Sequence, residues 1–326
     1  MIKMLEEALL VGDTHAKLNE LDDCRALIDQ IVEIVTVYKI QHVIFMGDQF
    51  NDHSVVNVDV LNFWRESFSR LESLKRSVIA LVGNHDVSPS SGKNAMVSCA
   101  DLILLIDRPT VHQGILMLPY IKSNDELERI AKEHSRISTL IGHLTTQGAQ
   151  YENGFYAKDG IDDSKFPQSW IISGHIHVPG QIGKTLYTGS SRWLTANDAN
   201  SDKLLFHVKF DHGKPIVKQT FKSECRQKLL LVDSESKPIQ SASQHWHEHD
   251  TTMVIEGSKS WINGRLDLWR DKFKVRTSVI EEAKTVVVAE SKGIDLSFAD
   301  WCKGFDGVAP KDRLASLVKE RLNVEF

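Results

Sequence analysis

No stretch of this 326-residue chain approaches the roughly 20 consecutive apolar residues that a membrane-spanning helix requires. The opening residues, Met1-Ile2-Lys3-Met4-Leu5-Glu6-Glu7, are acidic where a signal peptide needs positive charge, so a cytoplasmic protein is expected. Cysteine is scarce. Cys24, Cys99, Cys225 and Cys302 are scattered without a Cys-x-x-Cys pair, which argues against a disulfide framework and a thiolate zinc site. Nor is there an excess of positive charge: 39 Lys+Arg against 44 Asp+Glu give a net charge of −5. That balance counts mildly against a nucleic-acid partner without excluding one, because the field at the contact surface matters more than the total. Against these absences stand 14 histidines and a hydrophobic content of 41%, ordinary for a globular chain of one large domain with or without an appendage.

One pattern recurs along the first half. A short run rich in Val, Ile and Leu stops at or near a glycine, and Asp, Asn or His follows at once. The instances end in Gly12-Asp13-Thr14-His15, Gly47-Asp48, Gly83-Asn84-His85-Asp86, Gly142-His143 and Gly174-His175-Ile176-His177. Runs of this length and β-branched content are buried strands, and glycine lets the backbone turn sharply at their ends. Helical spacing fills the intervals: Leu27, Ile28, Ile31, Val35 and Tyr38 fit one face, Val60, Leu61, Trp64, Phe68 and Leu71 another. Ser123 with Glu126 reads as a capping box opening a third helix. Alternating strands and helices imply an α/β architecture, in which sites form outside the carboxyl ends of strands. Every polar cluster sits at such an end.

Collected together, Asp13, His15, Asp48, Asn84, His143, His175 and His177 form a mixed set of carboxylate, amide and imidazole donors. Such a set suits Mn, Fe or Zn better than Ca or Mg, and it is too large for one ion. Two ions sharing a carboxylate are expected. Asp-x-His and His-x-His put two donors on one side of an extended chain. A pair of divalent ions is a clamp for in-line displacement at phosphorus. His85, next to Asn84, is expected to face away from the metals and reach the leaving-group oxygen, with Asp86 orienting its imidazole. His53, shortly after Asp48, is close enough in sequence to line the same site. The alternating histidines of Gln244-His245-Trp246-His247-Glu248-His249-Asp250 are expected in an exposed polar loop, since no strand-end context supports a site there.

The ordered series from Asp13 to His177, about half the chain, resembles the signature of the calcineurin-like metallophosphoesterases. That resemblance implies a two-sheet sandwich flanked by helices, with Asp13, His15 and His177 on one metal, Asn84, His143 and His175 on the other, and Asp48 bridging. Within the superfamily the chain is most similar to DNA repair nucleases of the SbcD type. Asp86 stands where Ser/Thr protein phosphatases carry Glu, and Leu186-Tyr187-Thr188-Gly189-Ser190 resembles the Tyr-Pro-Gly-Ser segment of the SbcD-type nucleases, with Thr188 in place of Pro. The strand over 203–208 resembles the one closing their nuclease domain.

By the same resemblance, residues 1–220 form the nuclease domain, 221–295 a small α+β cap, and 296–326 a helical segment docking on a coiled-coil ATPase of the SbcC type. A homodimer and two divalent ions, Mn foremost with Fe, Zn or Mg as alternatives, are implied too. Lys259, Arg265, Arg270, Lys272, Lys274 and Arg276, interleaved with Trp261 and Trp269, form a basic stretch suited to a phosphate backbone or a solvated face. Pro310 opens a terminal segment with Leu314, Leu317, Val318 and Leu322 near one face. Three departures stand out: Asn51 occupies the position of a histidine common in these nucleases, Gln49 replaces an aliphatic residue, and Gly12 replaces a serine. The expected activity is Mn-dependent DNA cleavage, with Asn51, His53, Arg265, Arg270 and Lys272 as candidate substrate contacts. A small-molecule or cyclic-nucleotide phosphodiesterase, a phosphatase, and a non-catalytic metal-bound scaffold are the alternatives.

Overall fold

A computed structural model describes residues 4–280. The first segment runs β1 (Glu7–Val11), α1 (Leu21–Val37), β2 (His42–Phe45), α2 (Val58–Ser73), β3 (Ser77–Leu81) and β4 (Leu104–Ile106). Next come β5 (Thr110–His112), β6 (Ile115–Leu118), α3 (Asn124–Glu133), β7 (Thr139–Gly142), β8 (Trp170–Ser173), β9 (Gly180–Ile182) and β10 (Thr185–Tyr187). The described chain closes with β11 (Leu204–Asp211), β12 (Lys214–Lys222), β13 (Lys228–Ser234), α4 (Gln244–His247), β14 (Asp250–Gly257), α5 (Lys259–Trp269) and β15 (Lys274–Val279).

Two six-stranded sheets result, in the orders β12-β11-β1-β2-β3-β4 and β5-β6-β7-β8-β10-β9. Their layering follows from side chains alternating across each strand. Leu9 and Val11 of β1, Val43 and Phe45 of β2, and Val78 and Ala80 of β3 pack against Leu27 and Ile31 of α1 and Trp64 and Phe68 of α2. Their neighbours Ala8, Leu10, Ile44, Ile79 and Leu81 turn the other way and meet Ile115, Met117, Ile141 and Ile172 of the second sheet. That sheet repeats the alternation, sending Leu116, Leu118, Leu140 and Ile171 onto Leu127 and Ile130 of α3. The molecule is thus a two-sheet sandwich with helices on both outer faces.

Local signals set the helix ends. Asn57 caps α2 by accepting from the Asp59 N–H at 2.7 Å, and Ser123 caps α3 by accepting from the Glu126 N–H at 3.2 Å. Tyr38 terminates α1 instead of extending its apolar face, and is 43% exposed.

A third, smaller sheet, β13-β14-β15, is parallel throughout, with α5 as the crossover between β14 and β15. Its core is Met253, Ile255, Ile262 and Trp269. Cys24, Cys99 and Cys225 are buried free thiols. Among the described residues no helix is long and apolar enough to cross a membrane. Cys302, Pro310 and the terminal apolar face with Leu314, Leu317, Val318 and Leu322 lie outside the described residues, as does the expected boundary at 295/296.

Candidate active site

The carboxyl ends of β1, β2 and β3 in one sheet and of β7 and β8 in the other open onto the same spot. Just past them lie Asp13, His15, Asp48, Asn84, His143, His175 and His177. Glycine is what permits the approach. A Cβ on Gly47, whose φ is +109°, would sit 2.2 Å from His143 Nδ1, and one on Gly12 would sit 1.8 Å from the Gly189 carbonyl oxygen. Serine therefore does not fit at position 12 in this backbone. Three candidate ligands, His15 (φ 47°), Asp48 (φ 53°) and His175 (φ 75°), occupy the left-handed region, as do Lys39, Lys75, Gln113 and His212 in turns and loops elsewhere. Each such residue costs on the order of 1–3 kcal/mol and persists only where its surroundings hold it.

Two donor sets share one oxygen. Around the first, His15 Nε2 lies 3.5 Å from Asp48 Oδ2 and 3.2 Å from His177 Nε2, which is 3.7 Å from Asp13 Oδ2. Around the second, His143 Nε2 lies 3.4 Å from the same Asp48 Oδ2, and 3.1 Å from both Asn84 Oδ1 and His175 Nδ1. His143 holds its Nδ1 2.9 Å from the Met46 carbonyl. That contact requires the ring to donate from Nδ1, which leaves Nε2 as the atom facing the centre. Donor atoms of imidazole, amide oxygen and carboxylate thus converge within 3.1–3.7 Å of one another. A cation at each centre satisfies that arrangement, and the spacing is what neighbouring ligands at roughly 2.0–2.2 Å from an ion leave between one another.

Among protein groups alone the site is strongly polarised. Burial works against ionisation of Asp48, yet His143, His15 and His85 hold its carboxyl well below the usual range. Burial pushes Asp13 up to about 6 and lowers His175 to about 3. For His143 burial opposes the charge, but Asp48 and Asp13 prevail and raise it to about 9.

His85 flanks this centre, with its ring edge-on to His15 at 4.6 Å between centroids. Its Nδ1 lies 2.8 Å from the Asn51 carbonyl, and its backbone N–H donates to Asp48 Oδ1 at 2.7 Å. Asp86 does not orient this imidazole, contrary to the expectation from sequence. Its buried carboxylate accepts from the Phe50 N–H at 2.9 Å and the Gly83 N–H at 2.8 Å, stapling the loops after β2 and β3. Burial, then the Asp48 charge, raises it to about 8. His53 does reach the site: its ring stacks on His85 at 3.9 Å with 29° between planes, and its Nδ1 is 2.9 Å from the Asn84 carbonyl. An imidazole thus stands beside His85 although position 51 is asparagine, whose carbonyl fixes the His85 ring.

Two positioning residues had no signal in the sequence. Arg192, 1% exposed, donates from Nε to the Thr14 carbonyl and from Nη2 to the His15 carbonyl, both at 2.6 Å, and from Nη1 to Glu20 at 2.5 Å. Lys203 is equally buried and donates to the His177 carbonyl at 3.1 Å while paired with Asp198 at 2.5 Å. Together they pin the backbone that carries His15 and His177. Replacing Arg192 with methionine leaves the Thr14 and His15 carbonyls without their donor, while Glu20 keeps Lys17 and Lys228 at 3.1 Å each. The expected outcome is a loss of about 2–5 kcal/mol of stability, from about 1–3 kcal/mol for each carbonyl left without a donor, and a roughly 10–100-fold weaker metal affinity, checked by denaturant unfolding and metal titration. Unchanged affinity in the folded variant would make Arg192 a purely structural residue.

The basic stretch divides. Arg265 is not free for substrate: it donates to the buried carboxylate of Asp233 at 2.8 Å and lies over the rings of Trp261 and Trp269. Arg270, by contrast, is 64% exposed beside Asp267, and Lys272 lies over Trp269 at 5.5 Å. Both line a cavity of ≈ 420 Å³ with Arg226, Lys274, Trp246 and Phe273. His245, Glu248 and His249 come together on α4 and the turn after it, largely exposed.

Comparison with known proteins agrees with this geometry. The family model described as "Calcineurin-like phosphoesterase" matches residues 8–179. The chain is similar to a "Putative phosphoesterase 078R" of Invertebrate iridescent virus 3, with 24% identity over 52% of this chain and 52% of that protein. It is also similar to "Exonuclease subunit 1" of Enterobacteria phage T4, with 26% identity over 60% of this chain and 62% of that protein. The chain thus spans only about half to three-fifths of the length of these relatives. A solved structure titled "GAP50 the anchor in the inner membrane complex of Plasmodium" superposes with a TM-score of 0.37 and 10% identity, covering 68% of this chain and 89% of that one, too distant to carry an argument.

Proposed function

The chain belongs to the calcineurin-like phosphoesterase family, and from that premise we propose that it is a two-metal phosphodiesterase acting on DNA, of the SbcD type. The observation that carries the phosphodiesterase chemistry is the sharing of Asp48 Oδ2 between two donor sets, 3.5 Å from His15 Nε2 and 3.4 Å from His143 Nε2. Asp13, His15 and His177 would hold one ion and Asn84, His143 and His175 the other, with Asp48 between them. When bound, the pair supplies a nucleophile at neutral pH and offsets charge on the phosphoryl oxygens. Mn is the proposed metal on the SbcD resemblance; the mixed imidazole, amide and carboxylate donors suit it along with Fe or Zn.

The remaining steps belong to the chain's own residues. His85 is proposed to donate a proton to the departing oxygen. The Asn51 carbonyl holds its Nδ1, leaving Nε2 as the reactive end; burial prevails and lowers the imidazole below its ordinary value, although the Asp48 charge and the Asn51 carbonyl favour the protonated form. His53, stacked against that ring, restrains it from swinging.

Two observations support DNA as the substrate. One is the similarity to the phage exonuclease subunit. The other is the cavity of the third sheet, where Arg226, Arg270, Lys272 and Lys274 outnumber Asp250 and Asp271. Although Lys274 is paired with Asp250 at 2.8 Å, the surface, with Trp246 beside it, is net basic and suits a phosphate backbone. A cytoplasmic homodimer working with a coiled-coil ATPase is proposed from the SbcD resemblance, with 221–295 as the cap and 296–326 as the docking segment.

The test is Mn-dependent degradation of end-labelled linear DNA, run beside bis-p-nitrophenyl phosphate and its monoester. Cleavage of DNA and the diester but not the monoester is expected. Diester cleavage without DNA cleavage would move the substrate to small phosphodiesters, and preference for the monoester would make the protein a phosphatase.

A further inference from the structure

A cavity of ≈ 530 Å³ opens beside His85, formed by the loop after Phe50 and the start of α2. It is within the roughly 300–1,000 Å³ of ordinary small-ligand sites. Asn51 and His53, which both contact the His85 imidazole, are part of its wall, so it adjoins the leaving-group side of the centre with these two residues between. Apolar groups make up much of the remainder. Leu18 is 52% exposed and Val55 76% exposed, facing solvent at the mouth, while Phe50 and Val60 are buried behind them. Clustered exposed apolar side chains at a concave site mark a surface that something covers.

The charge of the wall decides what that is. No lysine or arginine lines the cavity, and its one carboxylate is Asp52. A neighbouring backbone phosphate would find no cation there and one negative charge. A neutral group with flat apolar faces and hydrogen-bonding edges fits: apolar side chains for the faces, and the amides and hydroxyl of Asn51, Asn57 and Ser54 at the edges.

We propose that this cavity receives the nucleoside on the leaving-group side of the scissile phosphate, its base packed against Leu18, Val55 and Val56. The assignment rests on the DNA-phosphodiesterase reading and deepens it: the enzyme grips the scissile phosphate and the adjoining base together. His53 then lies between pocket and proton donor, so that a seated base also buttresses the His85 ring.

The experiment compares hydrolysis of a dithymidine monophosphate with two analogues, each abasic on one side of the phosphate, by the Mn-loaded full chain. One abasic dimer is expected to lose about 10-fold or more in kcat/KM, mostly through KM, the size expected for burying about 60 Å² of a base against aliphatic side chains. The other dimer should lose much less. In Val55→Glu, and independently in Leu18→Glu, the ratio between intact and abasic dimers should collapse toward one. Both positions are exposed, so folding is not at stake. Equal cleavage of all three dimers by the wild-type protein overturns the pocket, as does undiminished discrimination in both variants. Cleavage of bis-p-nitrophenyl phosphate with no cleavage of any dimer overturns the nucleic-acid reading and the pocket with it.

Discussion

Changing Asp48 to asparagine is expected to reduce phosphodiester hydrolysis by roughly 10³-fold or more, corresponding to about 4 kcal/mol of transition-state stabilisation. The shape of the site hardly changes, because an amide oxygen can still accept the His85 N–H that Asp48 Oδ1 now takes at 2.7 Å. What is lost is the negative Oδ2, placed 3.5 Å from His15 Nε2 and 3.4 Å from His143 Nε2. In its place an amide would present either a weak neutral donor or N–H groups pointing at the ions. Metal bound per chain, measured after gel filtration in Mn, should fall from two toward one. A variant that keeps both ions and the wild-type rate would sink the bridging role.

His85→Ala should separate from Asp48→Asn in a diagnostic way. Its rate should fall by roughly 10²–10⁴-fold, the contribution of a positioned proton donor, while both ions remain bound. The competing possibility is that His85 is itself a ligand, since a donor atom of its ring lies within 4.8 Å of donor atoms of His15 and Asp48. Two features speak for the donor role: Nδ1 is engaged by the Asn51 carbonyl at 2.8 Å, and the ring is held by stacking on His53. Leaving-group dependence provides the decisive measurement. An alkoxide leaving group, as in a dinucleotide, needs the proton, whereas p-nitrophenolate leaves nearly as well without it. The variant should therefore retain far more activity on bis-p-nitrophenyl phosphate than on a dinucleotide. Equal losses on both, together with a missing ion, would make His85 a ligand.

Asp86 shows where adjacency in sequence misleads. Next to His85, it suggested a partner for that imidazole, but a carboxylate this deep goes where backbone N–H groups need an acceptor. It found Phe50 and Gly83. Arg265 is a parallel case, since a guanidinium on one face of α5 met the buried Asp233 of β13 before it could meet solvent. Unpaired, either carboxylate would carry a desolvation penalty that no surface contact offsets.

The sequence by itself determined the donor inventory and the α/β alternation, while the two-sheet layering came from the resemblance those motifs carry. Strand-end glycines followed by Asp, Asn or His named every side chain that converges, because a side chain's chemistry and its place after a strand are local properties. The period-two burial of Leu9 and Val11 against Ala8 and Leu10 likewise needed only alternation along β1. Only the tertiary structure decided which oxygen is shared, that Asn51 rather than Asp86 fixes His85, that His53 stacks on it, and that Arg192 and Lys203 hold the loops from below. Each of these is a contact between segments distant along the chain or a choice among acceptors within reach. Periodicity carries no record of such choices; they are made when two sheets meet and every buried polar group must find its partner.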